Sequence, residues 1–105
     1  MNFETYQTEA RKTAIYDKLN HSVIYPTLGL SGETGEIANK VQKVLRDNTE
    51  FPVDDLSREI GDCIWFLANL AQDLGLSLDT IAKENLKKLK SRQKRNKIRG
   101  SGDRR

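Results

Sequence analysis

Four acids of this chain stand in two pairs of identical spacing, Glu33 with Glu36 and Glu59 with Asp62. Side chains three apart on a helix lie about 5–6 Å from one another on one face, so each pair can present two carboxylates to one point. Two such helices side by side would offer four, an all-oxygen set that suits a hard cation such as Mg²⁺ or Mn²⁺. The single cysteine, Cys63, excludes an internal disulfide, and with the one histidine, His21, it cannot build a zinc site. An isolated acid pair at this spacing is ordinarily a solvated helix face. Asp62 resists that reading, because it interrupts the apolar run Ile60-Gly61-Asp62-Cys63-Ile64-Trp65-Phe66-Leu67, where an ionised carboxylate without a partner is costly. Glu33 lies in Gly29-Leu30-Ser31-Gly32-Glu33-Thr34-Gly35-Glu36, with glycine at every third position. Each helical glycine costs about 0.5–1 kcal/mol against alanine, so the spacing implies close backbone approach, either to a ligand or to another helix. A phosphate-cradling loop would need Gly-Lys followed by Ser or Thr, which is absent.

The elements that must carry these acids are helical, since no alternating β-branched run is long enough for a sheet. The first helix is expected from Phe3 to Asp17, capped by Asn2, with Phe3, Tyr6, Ala10 and Ala14 on one face. Lys18 to Tyr25 reads as a loop. Pro26 suits the first turn of a second helix reaching Arg46, with Ile37, Val41, Val44 and Leu45 as its buried stripe. After a turn over Asp47 to Phe51, Pro52 opens a third helix that Gly75 ends, in which Leu56, Ile60, Ile64, Leu67, Leu70, Ala71 and Leu74 follow the helical period. Ser77 caps a fourth, with Leu78, Ile81, Leu86 and Leu89 as a weaker apolar set. From about Lys94 onward basic residues dominate and no ordered element is expected.

At 105 residues the chain has room for one hydrophobic core. Only 36% of it is hydrophobic against 31% charged, which favours further burial between subunits. The formal charge of +3 hides an asymmetry: residues 83–105 carry eleven bases and two acids, a net of +9, and residues 1–82 a net of −6. No apolar run approaches the roughly 18 residues that span a bilayer, and the start MNFETYQTEARK lacks the basic-then-apolar pattern of an export signal. A soluble, cytoplasmic protein is expected.

Glu33-x-x-Glu36, twenty-two intervening residues, then Glu59-x-x-Asp62 resembles the signature of the MazG-like all-α nucleoside triphosphate pyrophosphohydrolases. Leu28-Gly29-Leu30-Ser31-Gly32-Glu33-Thr34-Gly35-Glu36 with Lys40, Glu59-Ile60-Gly61-Asp62-x-x-Trp65, and Asn85-Leu86-x-Lys88-Leu89-x-x-x-Arg92 fall in that family's order, and Gly100-Ser101-Gly102-Asp103-x-Arg105 is similar to tails of its small members. The resemblance implies a four-helix MazG-like bundle over residues 1–95 with a basic C-terminal tail, 96–105, assembled as a homodimer or homotetramer. It implies hydrolysis between the α and β phosphates, with Glu33, Glu36, Glu59 and Asp62 binding Mg²⁺ and either Glu33 or Glu36 activating water. Asn85, Lys88 and Arg92 share a face of the fourth helix, and the two cations suit β and γ phosphate oxygens. Lys40 and Lys43 offer the same charge, or form an ordinary solvated face with Lys40 paired to Glu36. Trp65, one turn from Asp62, stands beside a nucleobase or in the core; Thr13, Tyr16 and His21 are further candidates for the base pocket. Within the same fold type the alternatives are a pyrophosphatase dedicated to dUTP or dCTP, or phosphoribosyl-ATP hydrolysis. From a different class, a nucleic-acid-binding module would use Lys87 to Arg105, but no aromatic follows Phe66 to stack on bases, so nucleic acid is not the expected partner.

Overall fold

In the computed structural model, which describes residues 1–16 and 22–105, the chain forms four helices and, among the described residues, no strand. They are α1 (Phe3–Lys12), α2 (Ile24–Asp47), α3 (Val53–Asp73) and α4 (Leu78–Lys94). The expected caps are in place: Asn2 Oδ1 accepts from the Thr5 amide and Ser77 Oγ from the Thr80 amide. Gly75 adopts φ +72°, and the amides of Gly75 and Leu76 close back on the carbonyls of Gln72 and Ala71 to stop α3. α2 begins two residues before Pro26, because proline within a first turn forfeits no helical hydrogen bond.

α1 ends at Lys12, short of the expected Asp17. Tertiary bonds override further helix there. The Thr13 hydroxyl bonds the Ala10 carbonyl, and Tyr16 turns inward until it is fully buried. Its hydroxyl donates to Asp73 Oδ2 at 2.7 Å and accepts from Arg11 at 2.8 Å, while Arg11 also meets Asp73 Oδ1 at 2.7 Å. Burial and the bond to Asp73 push the Tyr16 hydroxyl up to about 12, so it stays protonated at neutral pH.

α2 and α3 run antiparallel: Gly29 lies on Phe66, Tyr25 packs near the same ring, and Lys40 reaches Glu59. α1 docks on α3 and on the start of α4 through Gln7, which donates to Gln72 and the Leu76 carbonyl and accepts from the Leu78 amide. The apolar core of the single chain is thin, with Ala10, Tyr16, Ala68 and Ala71 buried beside Pro26. Of the stripe expected on α2, Ile37 and Val44 are half-buried, but Val41 and Leu45 face solvent, Leu45 at 86% exposure. Ile60 and Leu67 of α3, Leu74 at its C-cap, and Ile81, Leu86 and Leu89 of α4 are exposed as well. For α2 the reason is geometric, since α3 is its one extensive neighbour. The radius of gyration is 16.7 Å, against about 13 Å for a compact chain of this length.

The segment after Lys94 departs from the expectation of an unordered tail. Asn96 ends α4 at φ 55°, Gly100 and Gly102 adopt φ +142° and +87°, and the chain folds back onto α4. Arg105 holds the turn by donating to the carbonyls of Lys97, Ile98 and Gly102.

Candidate metal and phosphate site

Glu33 from α2 and Glu59 and Asp62 from α3 each bring a carboxylate oxygen to within 4.8 Å of the other two. Glu33 Oε2 and Glu59 Oε2 are buried with no hydrogen-bond partner. A buried carboxylate oxygen without a donor is expensive, and these two repel each other and the exposed Asp62 carboxylate beside them. Glu33 beside Glu59 holds the Glu59 carboxyl above the usual range, burial adds to this, and Glu36 and Lys40 oppose it. The negative field extends outward: burial foremost, then Glu33, Asp62 and Glu59, raise the Cys63 thiol, and burial followed by Asp62 raises Tyr6. A divalent cation fits this set, because it supplies positive charge to the orphaned oxygens from ligands that are all hard.

Glu36 is exposed and interacts with Glu59, but it is not among the three acids whose oxygens converge. Lys40 Nζ stands 3.9 Å from Glu59 Oε1, so the lysine serves Glu59 across the helix pair. With Lys43 it lines a cavity of about 240 Å³ at the turn between α2 and α3.

The fourth-helix residues are engaged elsewhere. Lys88 Nζ lies 2.7 Å from Asp103 Oδ1, and Arg92 donates to the Asp103 backbone carbonyl with its side chain 3.5 Å from the same Oδ1. Lys88, with Arg92 assisting, holds the Asp103 carboxyl below the usual range. Asn85 and Lys88 line a cavity of about 460 Å³ with Thr80, Ile81 and Glu84. The sequence offered Asp103 only as part of the tail motif and gave it no role, although it is the one acid after Glu84 in a basic segment and so the natural counter-ion there.

Thr13, Tyr16 and Trp65 do come together. The Trp65 indole N–H donates to Thr13 Oγ1 at 2.8 Å, Tyr16 stacks on Tyr25 at 4.7 Å, and the Trp65 ring meets Tyr16 and Phe66 edge-on. His21 lies outside the described residues. Tyr25, read from the sequence as loop, and Phe66, named there only within the apolar run around Asp62, complete this aromatic cluster.

Residues 24–96 match the model of the MazG nucleotide pyrophosphohydrolase domain, a span that contains both acid pairs and the basic face of α4. The chain belongs to the MazG family. It is also similar to the Gene 37 protein of Mycobacterium phage L5, at 46% identity over 114 aligned positions that cover all of both chains. No solved structure matches it. In this MazG domain Gln7 of α1 and Asp103 of the tail lie on either side of the matched span and bond to Gln72 and Lys88 within it.

Proposed function

We propose that this MazG domain is a Mg²⁺-dependent nucleoside triphosphate pyrophosphohydrolase that cleaves (d)NTP between the α and β phosphates, giving (d)NMP and pyrophosphate from the cytoplasmic nucleotide pool. The observation that carries this is the convergence of Glu33, Glu59 and Asp62, with two buried oxygens unpartnered, inside the matched span. Those three with Glu36 are the residues that would hold Mg²⁺, or Mn²⁺ in its place. The ion would supply charge neutralisation at phosphate oxygens while the α phosphorus is attacked.

Glu36 is our choice for general base, because its carboxylate is exposed and lies outside the converging three. It takes a proton from water as the water oxygen bonds to the α phosphorus and the α–β bridging oxygen departs with pyrophosphate. Glu33 is the second choice. Lys40, Lys43, Asn85, Lys88 and Arg92 are the proposed phosphate ligands. Thr13, Tyr16, Trp65 and His21 are the proposed wall of the base pocket.

We further propose a homodimer or homotetramer in which α4 of one copy serves the carboxylates of another. Its support is the expanded single chain, the exposed apolar residues of α2, α3 and α4, and the engagement of Lys88 and Arg92 away from the acids. The test is a screen of the common NTPs and dNTPs with Mg²⁺, read as pyrophosphate release. Turnover of several nucleotides supports a pool-directed enzyme. Turnover of dUTP or dCTP alone, or of phosphoribosyl-ATP alone, selects a dedicated relative of the same chemistry, and no pyrophosphate from any nucleotide defeats the proposal.

A further inference from the structure

The folded-back tail and the last turns of α4 enclose a cavity of about 380 Å³ in which Lys88, Arg92, Arg95, Arg104 and Arg105 face a single acid, Asp103. Arg92 is 5% exposed, and its Nε is buried without an acceptor. Asp103 Oδ1 serves Lys88 at 2.7 Å but reaches Arg92 only at 3.5 Å, so one carboxylate oxygen is stretched between two cations. A phosphate group carries more oxygens and more charge, and can satisfy the lysine ammonium and the Arg92 guanidinium together. The Asp103 side chain is 78% exposed, so its carboxylate gives up little burial on leaving, while the Arg92 side chain, 6% exposed, keeps its need for an acceptor. Arg105 grips the tail through backbone carbonyls, so the carboxylate can leave without opening the turn.

We propose that this cavity is an oligophosphate-binding site, and that Asp103 is a resident internal anion that the incoming phosphates displace. This rests on reading Lys88 and Arg92 as phosphate ligands, and it adds Arg95, Arg104 and the exchange with Asp103. The ligand is a diphosphate or triphosphate group, either the tail of a bound nucleotide or free pyrophosphate.

The test is calorimetric titration of the full-length protein with pyrophosphate in metal-free buffer. The wild type should bind; Asp103→Asn, which removes the competing charge, should tighten binding about two- to fivefold, the worth of an exposed ion pair. Arg104→Gln should weaken it, and because Arg104 is exposed this variant avoids the folding risk of replacing buried Arg92. Displacement of pyrophosphate by ATP identifies the nucleotide tail as the ligand, whereas retention of pyrophosphate in excess ATP identifies the free product. No pyrophosphate binding by the wild type, or binding to Asp103→Asn that is equal or weaker, overturns the proposal. Turnover is not read in this buffer. Lost binding with intact turnover therefore defeats this site alone, and absent turnover with intact binding defeats the hydrolase reading alone.

Discussion

Asp62 shows what an apolar run does and does not say about a carboxylate: the residue is exposed rather than buried, because Ile60 and Gly61 beside it also face solvent, yet one of its oxygens converges with Glu33 and Glu59. Glu36 shows the limit of the same reasoning, because spacing alone equates it with Glu33 while only Glu33 joins the converging three. Glu36→Gln and Asp62→Asn should each lower kcat at least about a hundredfold, the scale of losing a group that acts in the transition state. Asp62→Asn should not lower the thermal melting point of the metal-free protein, since removing one charge from the converging three relieves repulsion, and exposed Glu36 can be replaced without leaving a buried group unpaired. A large fall in Tm would assign that carboxylate to structure. Glu59 adds a pH dependence. Its carboxyl is raised above the ordinary 4.5, chiefly by Glu33, so the folded state holds the proton more tightly than the unfolded chain. Metal-free stability contributed by Glu59 is therefore present below that ordinary value and lost as pH rises through the raised one. Denaturation across the acid range should show this decline in the wild type and its absence in Glu59→Gln.

At the scale of the elements, the helices themselves, the capping residues Asn2 and Ser77 and the stop at Gly75 were legible, because each acts through neighbours in sequence, whereas the period did not tell which apolar residues the single chain buries. The end of α1 was not legible. Tyr16 leaves the helix for Asp73 and Arg11, partners 57 and 5 residues away, and the first is invisible to local pattern. The glycine series divides likewise. A methyl group on Gly29 would overlap the Phe66 ring, whereas Gly32 and Gly35 face open space within the single chain. Gly29→Ala should therefore destabilise by about 1–3 kcal/mol, the range of overpacking, and Gly35→Ala should not; urea midpoints compare them. Gln7→Ala strips partners from the Leu78 amide, the Leu76 carbonyl and Gln72 together. A loss of about 1–3 kcal/mol is expected from the groups left unpaired.

For the whole molecule, the sequence conveyed the charge asymmetry and the shortage of core, but not how the tail spends its charge. The fold-back depends on Asp103 meeting Lys88 and Arg92 across a turn of two left-handed glycines, a match of positions that composition does not encode. The exposed apolar faces of α2, α3 and α4 lead us to expect a mass of at least twice 12.0 kDa by light scattering. A stable monomer would leave Lys88 and Arg92 engaged with Asp103 rather than with phosphates at the acids they are proposed to assist. The central claim is the bond that breaks, and hydrolysis in ¹⁸O-labelled water with Mg²⁺ reads it directly. Attack at the α phosphorus places the label in the nucleoside monophosphate, leaves pyrophosphate unlabelled, and ceases when a chelator removes the metal. Label in pyrophosphate or orthophosphate, or turnover undiminished in excess chelator, would contradict the account.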